Sequence, residues 1–143
     1  NSRVTFPFRR IEELRDVPKA DRDIIGKVTY ASVLFPNVLI AVLSHHTAMA
    51  VAEPVSPSET HMYTYRLSNP GNDGSSDAIE EAKYDADFVA ETGLMEDLEA
   101  TRSIQAGLDS GANTHFTYGY FEKAIVHFHK TLADQLSRTG YTT

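Results

Sequence analysis

The rhythm of hydrophobic and polar positions changes twice along this chain and divides it into three stretches. Residues 1–26 hold no sustained period. Arg9 to Asp16 has the makings of a short helix that Pro18 interrupts, and the polar segment Lys19 to Asp23 reads as loop or one helical turn. This stretch is expected to be a solvated lead-in. From Lys27 the pattern becomes that of strands. Val28 to Phe35 and Val38 to Leu43 are rich in β-branched and aromatic residues, with Pro36-Asn37 as a tight turn between them. A third run, Thr47 to Glu53, is expected to stop at Pro54, and a fourth, Thr60 to Leu67, alternates with partial period two. Strands this closely spaced predict an antiparallel meander over 27–67. Val38 to Leu43 is apolar on both faces, which predicts an inner strand covered on each side.

The loop Ser68 to Ser76, dense in Gly, Asn, Pro and Ser, is the clearest break. After it the spacing is helical. Asp77 with Glu80 resembles a capping box, and Ile79, Ala82, Ala86, Val89 and Ala90 recur on one face. The pattern runs through Gly93, an internal glycine that costs about 1 kcal/mol relative to alanine. A kink or two consecutive helices is expected there, the second ending near Ser110-Gly111. Tyr118 to Arg138 carries the strongest stripe: Phe121, Ile125, Phe128, Leu132 and Leu136. Strands over 27–67 followed by helices over 77–138 predict an α+β fold, with long helices on one antiparallel sheet and residues 1–143 as a single domain.

Composition narrows the partners. At 143 residues, 41% hydrophobic and 23% charged, the chain is long enough for a real core. A net charge of −7 without a basic run is a poor match for nucleic acid or an anionic membrane surface. The longest apolar run falls far short of the ~20 residues that span a bilayer. No charged-then-apolar leader opens the chain. Cysteine is absent, which excludes disulfides and thiolate metal sites and suits a cytoplasmic home. The chain opens at Asn1 rather than Met and is read as a processed product or, in preference, a piece of a longer polypeptide.

One carboxylate is set apart by helical spacing. The neighbours of Asp97 three and four positions away are Gly93, Leu94, Ala100 and Thr101, whereas Glu96 and Glu99 meet one another and Arg102. Asp97 is therefore expected on the face that wants to be buried. A buried carboxylate needs a metal, a cation or hydrogen-bond donors beside it. As a metal ligand it offers hard oxygens from a rigid helix; otherwise it packs against an arginine or backbone donors.

The histidines form no local chelating pair, since no two of the six stand three, four or five apart. His127 and His129 point away from each other on a helix, His127 to a wet face and His129 to a dry one as a core histidine. Of His45 and His46, adjacent at a strand junction, at most one can look into a cavity. His61 and His115 are isolated. Gln105 borders the Asp97 face, and Glu122 opens the last helix at the positive end of its dipole. For both, a structural role is expected.

With these residues in view a resemblance emerges. The run from Met95 to Ser110 resembles the "E-D, seven residues, Q-x-G-L-x-S" signature of Rieske-type ring-hydroxylating oxygenases, in the catalytic domain of the large (alpha) subunit. Leu34 to Ile40, with Pro54 to Thr60 after it, resembles the family's "fPn-l-i … P-x-x-P-x-x-t" strands, and Tyr118 to His129 is similar to its final helix. The resemblance implies a helix-grip, START-like fold around an apolar cavity. It implies a mononuclear Fe(II) held by two histidines and a carboxylate, the carboxylate falling on Asp97. It also implies a Rieske [2Fe–2S] cluster fed by NAD(P)H-derived electrons through a ferredoxin or reductase, a homotrimer or alpha–beta hetero-oligomer, and oxygenation of an aromatic or other apolar substrate.

Two departures qualify this. The chain has no cysteine for a Rieske cluster and no close histidine pair upstream of Asp97. The expectation is the C-terminal part of a catalytic domain, inactive as an isolated chain. The alternative is a non-enzymatic START-like module that binds an apolar small molecule.

Overall fold

The strand-rich half of the sequence folds as a continuous meander. The computed structural model describes residues 1–69 and 73–140, and of residues 92–94 the backbone alone. Five strands, β1 (Ser2–Pro7), β2 (Val28–Leu34), β3 (Val38–Val42), β4 (His46–Ser56) and β5 (Glu59–Ser68), lie side by side in chain order, each antiparallel to the next. Two short 3₁₀ turns, Arg9–Leu14 and Lys19–Asp21, bridge β1 to β2. Helices α1 (Ser76–Thr92), α2 (Leu98–Asp109) and α3 (Lys123–Arg138) follow, a π-helical turn at Gly93–Asp97 joining the first two. The fold is α+β, as expected.

The lead-in needs correction. Its first residues are not a connector but the edge strand β1, with Ser2 opposite Val33 and Pro7 opposite Val28. Ser2 to Pro7 is too short, and too interrupted by Arg3 and Pro7, to show strand periodicity alone; it gains its ladder from β2. The third strand also outruns its expected end. Pro54 is tolerated because β4 shifts register between Pro54 and Ser56, a bulge that accommodates the missing donor.

Asn37 explains the tight turn after β2. Its side-chain amide donates to the Ala52 carbonyl at 2.9 Å, and the Ala52 N–H donates back to the Asn37 carbonyl at 2.9 Å. The turn is thereby fastened to the middle of β4. Asn69 does the same at the other end of the sheet. It accepts from the Thr47 hydroxyl at 2.6 Å and donates to the Leu43 carbonyl at 2.8 Å.

β3 is an inner strand, but its cover is incomplete: Val38, Ile40, Ala41 and Val42 are half-buried, and Leu39 is exposed. Register places Val33, Ala31, Ala41, Ala48, His46 and Arg66 on one face, since directly opposed residues share a side. Helix α3 meets that face near β1 and β2, where Phe128 packs on Phe35 with ring centroids 5.7 Å apart. Helix α1 meets the same face over β4 and β5. A strip of alanines lies between them, where the sheet carries little side-chain bulk.

The helix boundaries follow local capping. Ser75, not Asp77, caps α1: its hydroxyl accepts the Ala78 N–H at 3.3 Å and its carbonyl the Ile79 N–H at 3.1 Å. Asp73 holds the preceding turn by accepting the Ser75 N–H at 2.9 Å, and that bond draws the Asp73 carboxyl below its usual range. Helix α2 ends where Gly111 takes a left-handed conformation at φ 66°, which a side chain would oppose. None of the described helices is long and apolar enough to cross a membrane.

Candidate functional site

Two carboxylates on the helical segment present contrasting chemistry. Asp85 faces the sheet from the middle of α1. One turn on either side of it stand Ala82 and Val89, small or apolar residues that let the helix approach β4. There it meets His46, the first residue of β4, which is only 3% exposed. The His46 Nδ1 lies 2.8 Å from Asp85 Oδ2, and an ionised carboxylate can only accept, so the ring donates. His45, adjacent and pointing the other way, stays exposed and 3.4 Å from Glu81. The alternation expected at this junction therefore holds: one histidine goes in, the other out.

Asp85 was not singled out from the sequence. The spacing test that picked Asp97 would have found it, since its neighbours at three and four positions include Ala82, Phe88 and Val89. The second signal, a histidine at the strand junction, could not be matched to it without knowing that α1 crosses β4.

A cavity of about 520 Å³ opens beside the pair, between α1 and the end of the β4–β5 hairpin. His46 contributes to its wall. Arg66 enters from β5 and Lys83 from α1, while Ile79, Ala82 and Ala86 supply the apolar helix side. Arg66 is itself bound to Asp87 at 2.7 Å.

Asp97 lies elsewhere and differs from its expectation. It closes the π-turn and leads into α2, with its side chain exposed and without a capping hydrogen bond. The expected burial assumed regular α-helical spacing from Gly93 onward. The wider π-turn breaks the three-and-four spacing across that point. Helix α2 then makes its contacts mainly with the turn instead of with the sheet, so the face shared with Asp97 is open as well: Ile104 is 60% exposed. What the expected burial would have demanded, a compensating partner, is not required of a wet carboxylate.

The remaining candidates have structural roles. Gln105 donates to Asp109 at 2.7 Å along α2. Glu122 accepts the Gly119 N–H and closes the turn that opens α3. His129 is exposed, unlike the core histidine expected, and sits against the rings of Phe116, Tyr118 and Phe128. The apolar stripe of α3 stops short at its start: Phe128, Leu132 and Leu136 are half-buried, while Phe121 is 94% exposed. His61 lies 3.4 Å from Glu59 in β5, and His115 3.5 Å from the Thr114 hydroxyl. Among the described residues, no three of His, Cys, Asp or Glu converge as a group that could hold a metal ion.

Compared with known proteins, residues 8–138 match a family model described as the ring hydroxylating alpha subunit, catalytic domain. No curated protein and no solved structure matches the chain.

Proposed function

The chain belongs to the catalytic-domain family of ring-hydroxylating alpha subunits, and from that premise we propose that it forms part of a non-heme iron oxygenase that hydroxylates an aromatic or other apolar substrate with dioxygen. Asp97 is the carboxylate iron ligand in this reading. The observation that carries it is the coincidence of the family match over 8–138 with an exposed, uncapped carboxylate at the π-turn before α2. An acid that folding has not committed to a cation or a donor is free to bind a metal.

The described residues do not make an iron site by themselves. Asp97 supplies one hard ligand, and no metal-holding group of three surrounds it. The two histidines of the proposed centre, and the Rieske cluster that would feed it electrons from NAD(P)H through a ferredoxin or reductase, belong to residues outside 1–143. What this chain contributes is a scaffold: a sheet gripped by α1 and α3, with the π-turn carrying Asp97 at the start of α2. A cytoplasmic alpha subunit in a homotrimer or alpha–beta assembly is the setting proposed for it.

The test is made in the protein encoded by the complete gene. Asp97→Ala is expected to abolish mononuclear iron binding and substrate-dependent oxygen uptake while leaving the far-ultraviolet circular dichroism intact. Retention of both iron and turnover by the variant would remove Asp97 from the site.

A further inference from the structure

The cavity between α1 and the β4–β5 hairpin has no part in that reading, yet its chemistry is selective. Its apolar surface comes from Ile79, Ala82 and Ala86 of α1. Its charged or polar-ring contributors are His46, Arg66 and Lys83, and among the described residues no acidic one lines it. In a chain of net charge −7 this is a local reversal of sign. Two acids close at hand are already engaged, Asp85 by His46 at 2.8 Å and Asp87 by Arg66 at 2.7 Å. Lys83 has no carboxylate partner among the described residues.

We propose that this cavity binds a small organic acid, its apolar body against Ile79, Ala82 and Ala86 and its carboxylate toward Lys83 and Arg66. The volume, about 520 Å³, lies within the range of small-molecule pockets. The Asp85 bond takes Nδ1 of His46 and fixes the ring as part of the cavity wall. The positive rim disfavours an amine, and the apolar wall gives a bare inorganic anion nothing to bury. Lys83 supplies the uncommitted charge, and Arg66, held by Asp87, orients the carboxylate without needing to move. The site stands independently of Asp97.

Calorimetry on the 143-residue chain with 4-phenylbutyrate, its neutral amide and inorganic phosphate tests the assignment, with nuclear magnetic resonance to locate the bound acid. The acid is expected to bind about tenfold more tightly than the amide, the contrast a charge-assisted hydrogen bond provides. It should shift the ring signals of His46 and the Nζ signal of Lys83. Lys83→Gln, a change at an exposed side chain, is expected to remove most of the preference for acid over amide without lowering the thermal midpoint. Binding of the amide as tightly as the acid would overturn the proposal. So would an unchanged preference in Lys83→Gln, signals that move elsewhere, phosphate binding as well as the acid, or no binding of the acid at millimolar concentration.

Discussion

Asp85 and Asp97 stand on successive helical elements of one chain and meet opposite fates. Asp85 is turned to the sheet, is largely shielded from solvent and is bonded to a buried histidine. Asp97 lies past the π-turn, on a helix that packs on that turn, and faces solvent without a cap bond. The difference lies in the surroundings rather than in the residue. A carboxylate that α1 brings over β4 finds a donor waiting, and its charge becomes part of the fold. One that the π-turn carries off the sheet remains chemically available. The first is expected to matter to stability, the second to ligand binding.

The sharpest way to break this contrast is to remove the two acids in turn. Asp85→Ala leaves a 3%-exposed imidazole without its acceptor. The expected loss is about 2–3 kcal/mol, the usual cost of stranding a buried polar group whose partner was charged. Urea unfolding measures it, and the double variant His46→Ala with Asp85→Ala should be less than additive because the two share one bond. A loss under half a kilocalorie in Asp85→Ala would show that the pair is idle.

Asn37 gives the next largest effect and shows what a neutral fastening contributes by comparison. Asn37→Ala deletes the side-chain bond to the Ala52 carbonyl while leaving the backbone bond in place. About 1 kcal/mol is expected, smaller than at Asp85 because neither partner is charged. The same unfolding measurement decides it; equality with Asp85→Ala would mean that the carboxylate adds nothing beyond an ordinary hydrogen bond.

Asp97→Ala completes the comparison with a near-null result. Its exposed side chain makes no cap bond, so the stability of the chain should stay within about 0.5 kcal/mol of the original. A loss as large as that of Asp85→Ala would reveal a structural partner for Asp97 and count against its availability as a ligand.

The same contrast separates what could be read in the sequence from what could not. Strands β2 to β5 were legible because their β-branched and aromatic runs are set apart by turn signals such as Pro36-Asn37 after β2. Helices α1 and α3 were legible from their stripes. β1 was not, because six residues with two interruptions become a strand only through pairing with β2. The exposure of Asp97 was not legible either. Gly93 announced a break, but a kink and a π-turn look alike in sequence and send the next helix in different directions. His46 was half-read: alternation showed that one of two histidines turns inward, while its acid lies 39 residues away and is supplied by helix-on-sheet packing. Motif residues name a site, and long-range packing decides what surrounds it.

A wet ion pair at the foot of the sheet provides the smallest effect and the reference for both acids. Lys27, just before β2, donates to Glu13 at 2.8 Å, tying the first 3₁₀ turn to the strand. The lysine's hydrogen bond and its positive charge hold the Glu13 carboxyl below the ordinary glutamate value. Because the folded-state value is the lower one, the contribution to stability is fully present above the unfolded value. It disappears as pH falls through the folded one. Solvent screening keeps that contribution small. Lys27→Met should therefore raise the Glu13 midpoint back to the ordinary value in a carboxyl ¹³C titration. It should also flatten slightly the acid limb of stability against pH, leaving stability at low pH unchanged. An unmoved midpoint would mean that the turn, not the lysine, sets the acidity of Glu13. The pair would then be no measure of how much burial adds at Asp85.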